Sequence, residues 1–315
     1  MSLRPLFLLA LPIAMVGCTA DADLDGLSNK AEIEAGTDPD NADTDGDGLS
    51  DAEEIDLGTD PLDRDSDDDL LHDGVEQLGF IAEIDGDDVQ IVTDPLNRDT
   101  DGDGYEDYDE VFTGHDPMDE DDRIYEAGWP YQRYKDDIAD RKASKGMAIG
   151  MPFARDSYKD SDNKTVATFK DPHGDNVDLF DFAYHGKPIL IDVSAQWCAP
   201  CKNYALWLSG TNEDLNAQYD GLFPGVRDAV NNGDVYWITF LGENNAGDGA
   251  TKQTVKEWED EFPQPNIPVL ADTHKVVVDF IDLGFWPSFI LLDEDMSVVT
   301  DADGGSLQAL SARFE

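Results

Sequence analysis

This chain of 315 residues has three cysteines, and only 21 Lys and Arg stand against 71 Asp and Glu. Apart from a short stretch at the start, it also lacks long apolar runs. Each scarcity excludes something. A net charge of −50 repels phosphates and anionic lipid headgroups, so nucleic acid is not a partner and cations are. No segment is long and apolar enough to span a bilayer. Two of the cysteines form one Cys-x-x-Cys, Cys198 and Cys201, with no second ligand pair to complete a zinc site. Lys202 rather than His follows Cys201, which excludes covalent haem attachment. His274 is the only downstream histidine a copper site could recruit, and it falls on an expected helix.

The pair itself sits in Trp197-Cys198-Ala199-Pro200-Cys201-Lys202, directly after the apolar run Pro188-Ile189-Leu190-Ile191-Asp192-Val193. A strand leading into a Cys-x-x-Cys that opens a helix is the layout of a thiol–disulfide site. The first sulfur then lies at a helix N-terminus, where unpaired N–H groups and the macrodipole favour the thiolate. The thiolate is the form that attacks disulfides. A bridge closing so short a loop restricts the unfolded chain little, so stabilisation alone is a poor reason to place one there.

The N-terminus reads Met1-Ser2-Leu3-Arg4, then an apolar segment from Leu6 to Val16, then Gly17-Cys18. That apolar run suits a signal peptide over residues 1–17 and is too short for a membrane span. Gly17-Cys18 resembles a bacterial lipobox, whose cysteine is diacylated and becomes the mature N-terminus, although Met15 is unusual at the start of that motif. Lipidation of Cys18 would leave a single cysteine pair in an oxidising compartment. Thr19 in place of Asp after Cys18 leans towards the outer membrane or cell surface, facing the periplasm or the exterior.

Residues 18–122 repeat. Between Asp21 and Asp122 there are about 39 acidic residues against Lys30, Arg64 and Arg98. Asp43, Asp45, Asp47, Asp51 and Glu54 occupy positions 1, 3, 5, 9 and 12 of an oxygen-ligand loop. The spacing recurs at Asp21, Asp23, Asp25, Asn29 and Glu32, at Asp65, Asp67, Asp69, Asp73 and Glu76, and at Asp99, Asp101, Asp103, Asp107 and Glu110. Starts at 21, 43 and 65 give a 22-residue period, and an insert precedes the start at 99. Thr-Asp-Pro turns at 37–39, 59–61 and 93–95 separate the copies and leave no room for the entering helix of an EF-hand. Converging carboxylates repel unless a hard cation joins them, and the sparse apolar content leaves the metal to replace a core. Calcium is the expected cofactor, with an affinity on the order of 0.1–1 mM. Leu70 stands where the turn glycine belongs, so the third loop is expected to be distorted. The array resembles the thrombospondin type 3 calcium repeats of exported bacterial proteins. The insert, Phe80–Ile84 and Val89–Val92 about Asp85-Gly86-Asp87-Asp88, alternates as a β-hairpin and is read as a packing elaboration. Residues 123–145, with Trp129, Tyr131 and Tyr134, are read as a linker of helical character whose aromatics dock on a neighbouring domain.

Residues 146–315 resemble the thioredoxin superfamily, and specifically its exported TlpA/ResA-like branch. Four features carry the resemblance: Trp197 ahead of the first cysteine, Asp192 six residues before Cys198, the lead-in 169–186, and Gly284-Phe285-Trp286-Pro287-Ser288 followed by an apolar strand. The resemblance implies a thioredoxin-like α/β sandwich, a Cys198–Cys201 disulfide, a cis Pro287 facing it, and a buried carboxylate at Asp192. Cys198 would be the nucleophile and Cys201 the resolving thiol. Asp192 lies in an apolar strand, so its pKa should rise and suit it to take the Cys201 proton. Trp286 departs from the small or β-branched residue usual before that proline.

Patterning places β-structure near 165–178, strand 188–194, helix 199–209, a variable stretch to 233, strand 235–241, helix 251–261 and strand 267–270. Helix 273–281, strands 288–293 and 297–300, and a short helix from Ser306 follow, the last leaving one sheet face thinly covered. The fold expected overall is this sandwich preceded by a calcium-stabilised, loop-rich repeat array. The expected function is a lipid-anchored, extracytoplasmic thiol–disulfide oxidoreductase, in the reductase rather than the oxidase direction, acting on protein disulfides with an unidentified electron donor. The alternative is a surface adhesion or scaffold protein with a redox-inactive thioredoxin fold.

Overall fold

The computed structural model describes residues 20–135, 168–281, 285–300 and 305–314. Cys18 and the signal segment lie outside the described residues, as do 136–145 of the expected linker and 146–167 of the expected redox domain. The chain divides into two compact units, Met1–Asp122 and Arg123–Glu315. Among the described residues no helix is long and apolar enough to cross a membrane.

In the first unit each acidic loop runs into a short helix: α1 (Asn29–Ala35), α2 (Asp51–Leu57), α3 (Asp73–Leu78) and α4 (Asp107–Thr113). Helices of six or seven residues are not stable alone, so their ends carry the order. Ser28 and Ser50 accept the amides of Ala31 and Glu53, and Glu53 completes a capping box at Ser50. Gly36, Gly58 and Gly114 close α1, α2 and α4 in the left-handed conformation. The insert is a hairpin of β1 (Phe80–Ile84) and β2 (Asp87–Ile91), turning on Asp85 and Gly86, both with positive φ as a primed turn requires. Its Ala82, Ile84 and Ile91 are buried with Phe80, Val89 and Val111 around them. The hairpin supplies this unit with an apolar cluster that the acidic loops cannot.

The second unit is built on a seven-stranded sheet of β3 (Thr168–Lys170), β4 (Asn176–Asp178), β5 (Ile189–Ala195), β6 (Tyr236–Glu243), β7 (Val269–Ala271), β8 (Ser288–Leu292) and β9 (Val298–Thr300). The strand order is β4-β3-β7-β6-β5-β8-β9, with β5, β6 and β7 parallel and the other pairings antiparallel. This is an α/β sandwich of the kind expected, with a mixed sheet and its three parallel strands at the centre. All seven residues of β5 are buried, as its unbroken apolar run requires of a central strand. The helices are α5 (Ala199–Leu208), α6 (Glu213–Leu222), α7 (Val226–Asn231), α8 (Lys252–Glu261), α9 (Val276–Ile281) and α10 (Ser306–Phe314).

Three expectations change. The stretch to 233 is ordered as α6 and α7; Val226, Ala229 and Val230 of α7 join Trp207, Trp237 and Leu291 in the core. The helix expected from 273 begins at Val276, because Asp272 accepts the amides of Val276, Val277 and Val278 and so sets its start. Neither face of the central sheet is thinly covered: Leu190 meets Leu307 and Leu310 of α10, while Ile189, Ile191 and Val193 are fully buried on the other side.

Residues 123–135 belong to the second unit and run as turns and extended chain rather than helix up to Tyr134. They converge on one buried acid, Asp181. Its carboxylate accepts the Tyr125 hydroxyl at 2.6 Å, the Gln132 amide at 3.0 Å and the Lys135 ammonium at 2.7 Å.

Candidate functional site

The C-terminal end of β5 delivers the cysteines. The chain leaves the sheet at Ala195, turns through Gln196 and Trp197, and enters α5 with Cys198 as its N-cap. Pro200 fits the first turn, where a missing N–H costs nothing. Cys198 and Cys201 form a disulfide with Cα atoms 5.3 Å apart. The Cys201 amide donates to Cys198 Sγ at 3.2 Å, so a free helix-end donor is already aimed at that sulfur. Both residues are nearly sealed from solvent, at 2 % and 1 % exposure.

Asp192 sits three residues earlier than the end of β5, on the face of the sheet that carries Leu190. It accepts Ser194 Oγ at 2.7 Å, Thr239 Oγ1 at 3.2 Å and Trp237 Nε1 at 3.4 Å. Burial pushes its pKa up to about 6, and the three donors limit the rise. The Trp286–Pro287 peptide is cis. Both residues line a cavity of about 370 Å³ together with Pro200, Tyr204, Phe285 and Phe289. Burial, then Tyr219 and Asp192, push the Tyr204 hydroxyl up to about 12, so it stays protonated at neutral pH.

Three residues at this site were not found from the sequence. Trp197 donates its indole N–H to Glu243 Oε2 at 2.8 Å, and Lys275 Nζ reaches Glu243 Oε1 at 2.6 Å. Burial opposes ionisation of Glu243, but the bonds from Lys275 and Trp197 hold its pKa below the ordinary value. Gly242 is packed so closely that a Cβ there would stand 2.9 Å from the Trp286 ring. The available signal was topological: Gly242 and Glu243 end a parallel strand beside β5, and such ends gather at one edge of the sheet.

In the first unit the acids gather in two ways. The loop carboxylates Asp21, Asp23 and Asp25 have oxygens within 4.8 Å of one another, as do Asp43, Asp45 and Asp47, and Asp65, Asp67 and Asp69. Backbone amides hold each loop in shape: Asp43 accepts Gly46 and Gly48, and Asp99 accepts Gly102 and Gly104. A second kind of cluster crosses between repeats, joining Asp47 and Glu54 to Asp73, and Asp69 and Glu76 to Asp107. Asp51, Asp73 and Asp107 each bond the backbone and hydroxyl of Thr44, Ser66 and Thr100 at the start of their own loops. The ninth-position acid therefore braces its own loop, and Asp73 and Asp107 also serve the cluster of the preceding repeat.

Glu32, Glu54 and Glu110 are fully buried, and neither oxygen of any of them has a hydrogen-bond partner. Burial, reinforced by the surrounding aspartates, pushes Glu54 up to about 8 and Glu110 up to about 10. An all-oxygen donor set with orphaned, buried carboxylates fits a hard cation such as calcium.

The third loop keeps its shape, contrary to expectation. Leu70 adopts φ +90°, beside +108°, +114° and +106° at Gly26, Gly48 and Gly104. Its amide still reaches Asp65 at 2.9 Å, the bond that Gly48 makes to Asp43. Loop bonding outweighs the steric cost of a side chain in the left-handed region.

No curated protein matches the chain. Similar solved structures include MTB dsbF in its mixed oxidized and reduced forms (18 % identity, 47 % of this chain and 91 % of that one, TM-score 0.32). A secreted Mycobacterium tuberculosis disulfide oxidoreductase homologous to E. coli DsbE gives 18 % identity over 47 % and 92 % at TM-score 0.32. The pneumococcal exposed lipoprotein thioredoxin Etrx1 from Streptococcus pneumoniae strain TIGR4 gives 18 % over 47 % and 96 %, also at 0.32. Three of the four acidic loops, within residues 21–42, 43–64 and 99–120, match the bacterial TSP3 repeat.

Proposed function

We propose that this protein is an extracytoplasmic thiol–disulfide oxidoreductase, working as a reductase of protein disulfides and carried on calcium-binding repeats. The observation that carries the reading is the Cys198–Cys201 disulfide at the N-terminus of α5, with the Cys201 amide on Cys198 Sγ. In the reduced protein the Cys198 thiolate attacks one sulfur of a substrate disulfide, and the other substrate sulfur leaves as a thiolate that takes up a proton. Cys201 then loses its proton to Asp192 and attacks Cys198 Sγ, which releases the second substrate sulfur and restores the protein disulfide. Two electrons pass to the substrate, and a donor outside this chain must return them. Pro287 and Trp197 border the reacting pair as its substrate-facing walls. An insulin-reduction assay is the test: wild type accelerates reduction, and a Cys198→Ser protein that performs equally well would remove the redox reading.

Residues 18–122 are the calcium-binding array and 146–315 the redox domain, with 123–145 between them. Calcium would be held by the triplets of each loop and by the clusters that cross between repeats, with Glu32, Glu54, Glu76 and Glu110 closing the sets and Asn29 standing in for an acid in the first. When bound, calcium supplies the positive charge that lets these carboxylates converge. Far-UV circular dichroism with and without chelator tests this; helix signal should fall on chelation, and an unchanged spectrum would refute it. The Gly17-Cys18 motif supports a lipid anchor after removal of residues 1–17, with an outer-membrane or surface destination. Mass spectrometry of the mature N-terminus decides that point: a free, unmodified Cys18 rules the anchor out.

A further inference from the structure

Trp286 occupies a slot cut for it. It packs on the buried cluster that contains Cys198 and Cys201, and its ring lies 2.9 Å from where a Cβ on Gly242 would stand. Val278 Cγ2 is closer still, so the two side chains together leave no room for one there. Its ring meets Trp197 edge to face, with centroids 6.0 Å apart and planes at 67°. Trp197 is in turn fixed by its 2.8 Å bond to Glu243, and Glu243 by Lys275. Lys275 makes a second bond, to the Gly247 carbonyl at 3.0 Å. The two rings thus rest on one dipeptide, Gly242-Glu243, at the end of β6. In the cluster on which Trp286 packs, the cysteines are closed to solvent although they stand at the start of a helix, where the first sulfur would ordinarily be open.

We propose that Trp286, seated over Gly242 and braced by Trp197, is a specificity-determining cover on the disulfide, with Glu243 as the positioning residue that keeps the cover in place. The inference rests on the redox reading above. A slender thiol reaches the sulfurs past the closed ring pair, whereas a cysteine flanked by bulky residues must first part the rings. The site therefore selects partners by the width of chain around their sulfur, favouring cysteines in thin, extended or glycine-flanked segments.

The test follows reduction of the oxidised full-length protein by two thiols, read by acid quench, alkylation and mass spectrometry. Dithiothreitol is the slender one: its first thiolate forms a mixed disulfide and its second closes a ring, so that it is oxidised and both protein thiols are released. A synthetic peptide with one cysteine between two tryptophans is the bulky one; its thiolate gives a peptide–protein mixed disulfide and one free protein thiol. Trp286→Thr should raise the peptide rate by about tenfold, the scale of parting one aromatic pair, and the dithiothreitol rate by less than about twofold. Glu243→Gln keeps an acceptor for Trp197 but loses the charge that holds Lys275; it should shift the same ratio in the same direction by about threefold. If Trp286→Thr does not fold, the Glu243→Gln ratio decides alone. Equal changes with both thiols, or none, overturn the cover. A wild-type disulfide that resists dithiothreitol even after denaturant-free incubation for hours would instead count against the redox reading itself.

Discussion

The carboxylate of Asp47 accepts the amide of Gly74 at 2.6 Å, across 27 residues of sequence. One acidic loop is thereby tied to the helix that follows the next. The same bond recurs from Ala52 to Asp25 at 3.1 Å and from Tyr108 to Asp69 at 3.2 Å, so the fifth-position aspartates of the first three loops hold the next repeat as well as their own. Arg64 reaches back to the Asp45 carbonyl, and Arg98 to that of Asp68 at 2.7 Å. Of the three basic residues in the array, two are spent on these junctions.

Gly74 is required by that closeness. A Cβ there would stand 2.6 Å from the Asp47 carbonyl oxygen, a contact with backbone that no rotamer relieves. In an ordinary helix Gly→Ala stabilises, by about 1 kcal/mol. Here Gly74→Ala should destabilise the array by about 1–3 kcal/mol and weaken calcium binding several-fold. Calcium titration followed by circular dichroism checks it; a variant as stable as wild type would show that the junction is looser than its geometry.

Leu70 offers the opposite change. It holds φ +90° with its side chain substantially exposed, so Leu70→Gly removes strain and forfeits little burial. The left-handed region costs a side chain about 1–2 kcal/mol, part of which glycine returns through its freer unfolded chain. A net gain of about 0.5–1 kcal/mol in calcium-loaded stability is expected from urea titration. A loss would mean that Leu70 contributes packing that its exposure hides.

Asp192 predicts a pH signature. Its folded pKa, about 6, lies above the unfolded value near 3.8. Below the lower value both states are protonated and the residue is neutral to stability. Between the two the folded state holds a proton that the unfolded state has lost, so stability falls as pH rises, and the full penalty stands above pH 6. Asp192→Asn should therefore stabilise the oxidised protein by about 2–3 kcal/mol at pH 7.5, with the difference vanishing towards pH 4. The same variant should slow disulfide exchange, because Cys201 loses its proton acceptor. Urea melts at three pH values, paired with the insulin assay, measure both; a gain that does not vary with pH would contradict the assignment.

Asp181 binds the lead-in of the second unit. Asp181→Ala removes the partner of a half-buried lysine and of a buried tyrosine hydroxyl at once, at a cost of about 2–3 kcal/mol. Trypsin should then cut at Arg133 and Lys135 several-fold faster. Unchanged cleavage would mean that Tyr125 burial alone holds the segment.

Much of this protein was legible in sequence because its chemistry is local. A calcium loop is specified within twelve residues, and a Cys-x-x-Cys after an apolar run within about fifteen. The hairpin about Asp85 and Gly86 followed from alternation. The helices α6 and α7 were missed because each hides weak periodicity behind polar residues and owes its place to Trp207 and Trp237, which arrive from elsewhere in the chain. The third loop was misjudged because a missing glycine was weighed without the bonds that compensate for it.

Residue type and spacing alone were enough for the acid register, the paired cysteines, the apolar central strand and the carboxylate within it. Each depends on a periodicity or a covalent neighbourhood that the linear chain already contains. The junction of Asp47 with Gly74, the seat of Trp286 on Gly242, the anchoring of Trp197 by Glu243 and the gathering of 123–135 on Asp181 came from folding. These contacts join residues from 27 to 56 positions apart. No local pattern marks such partners, because what selects them is the closure of the sheet in the second unit and the packing of one loop on the next in the first.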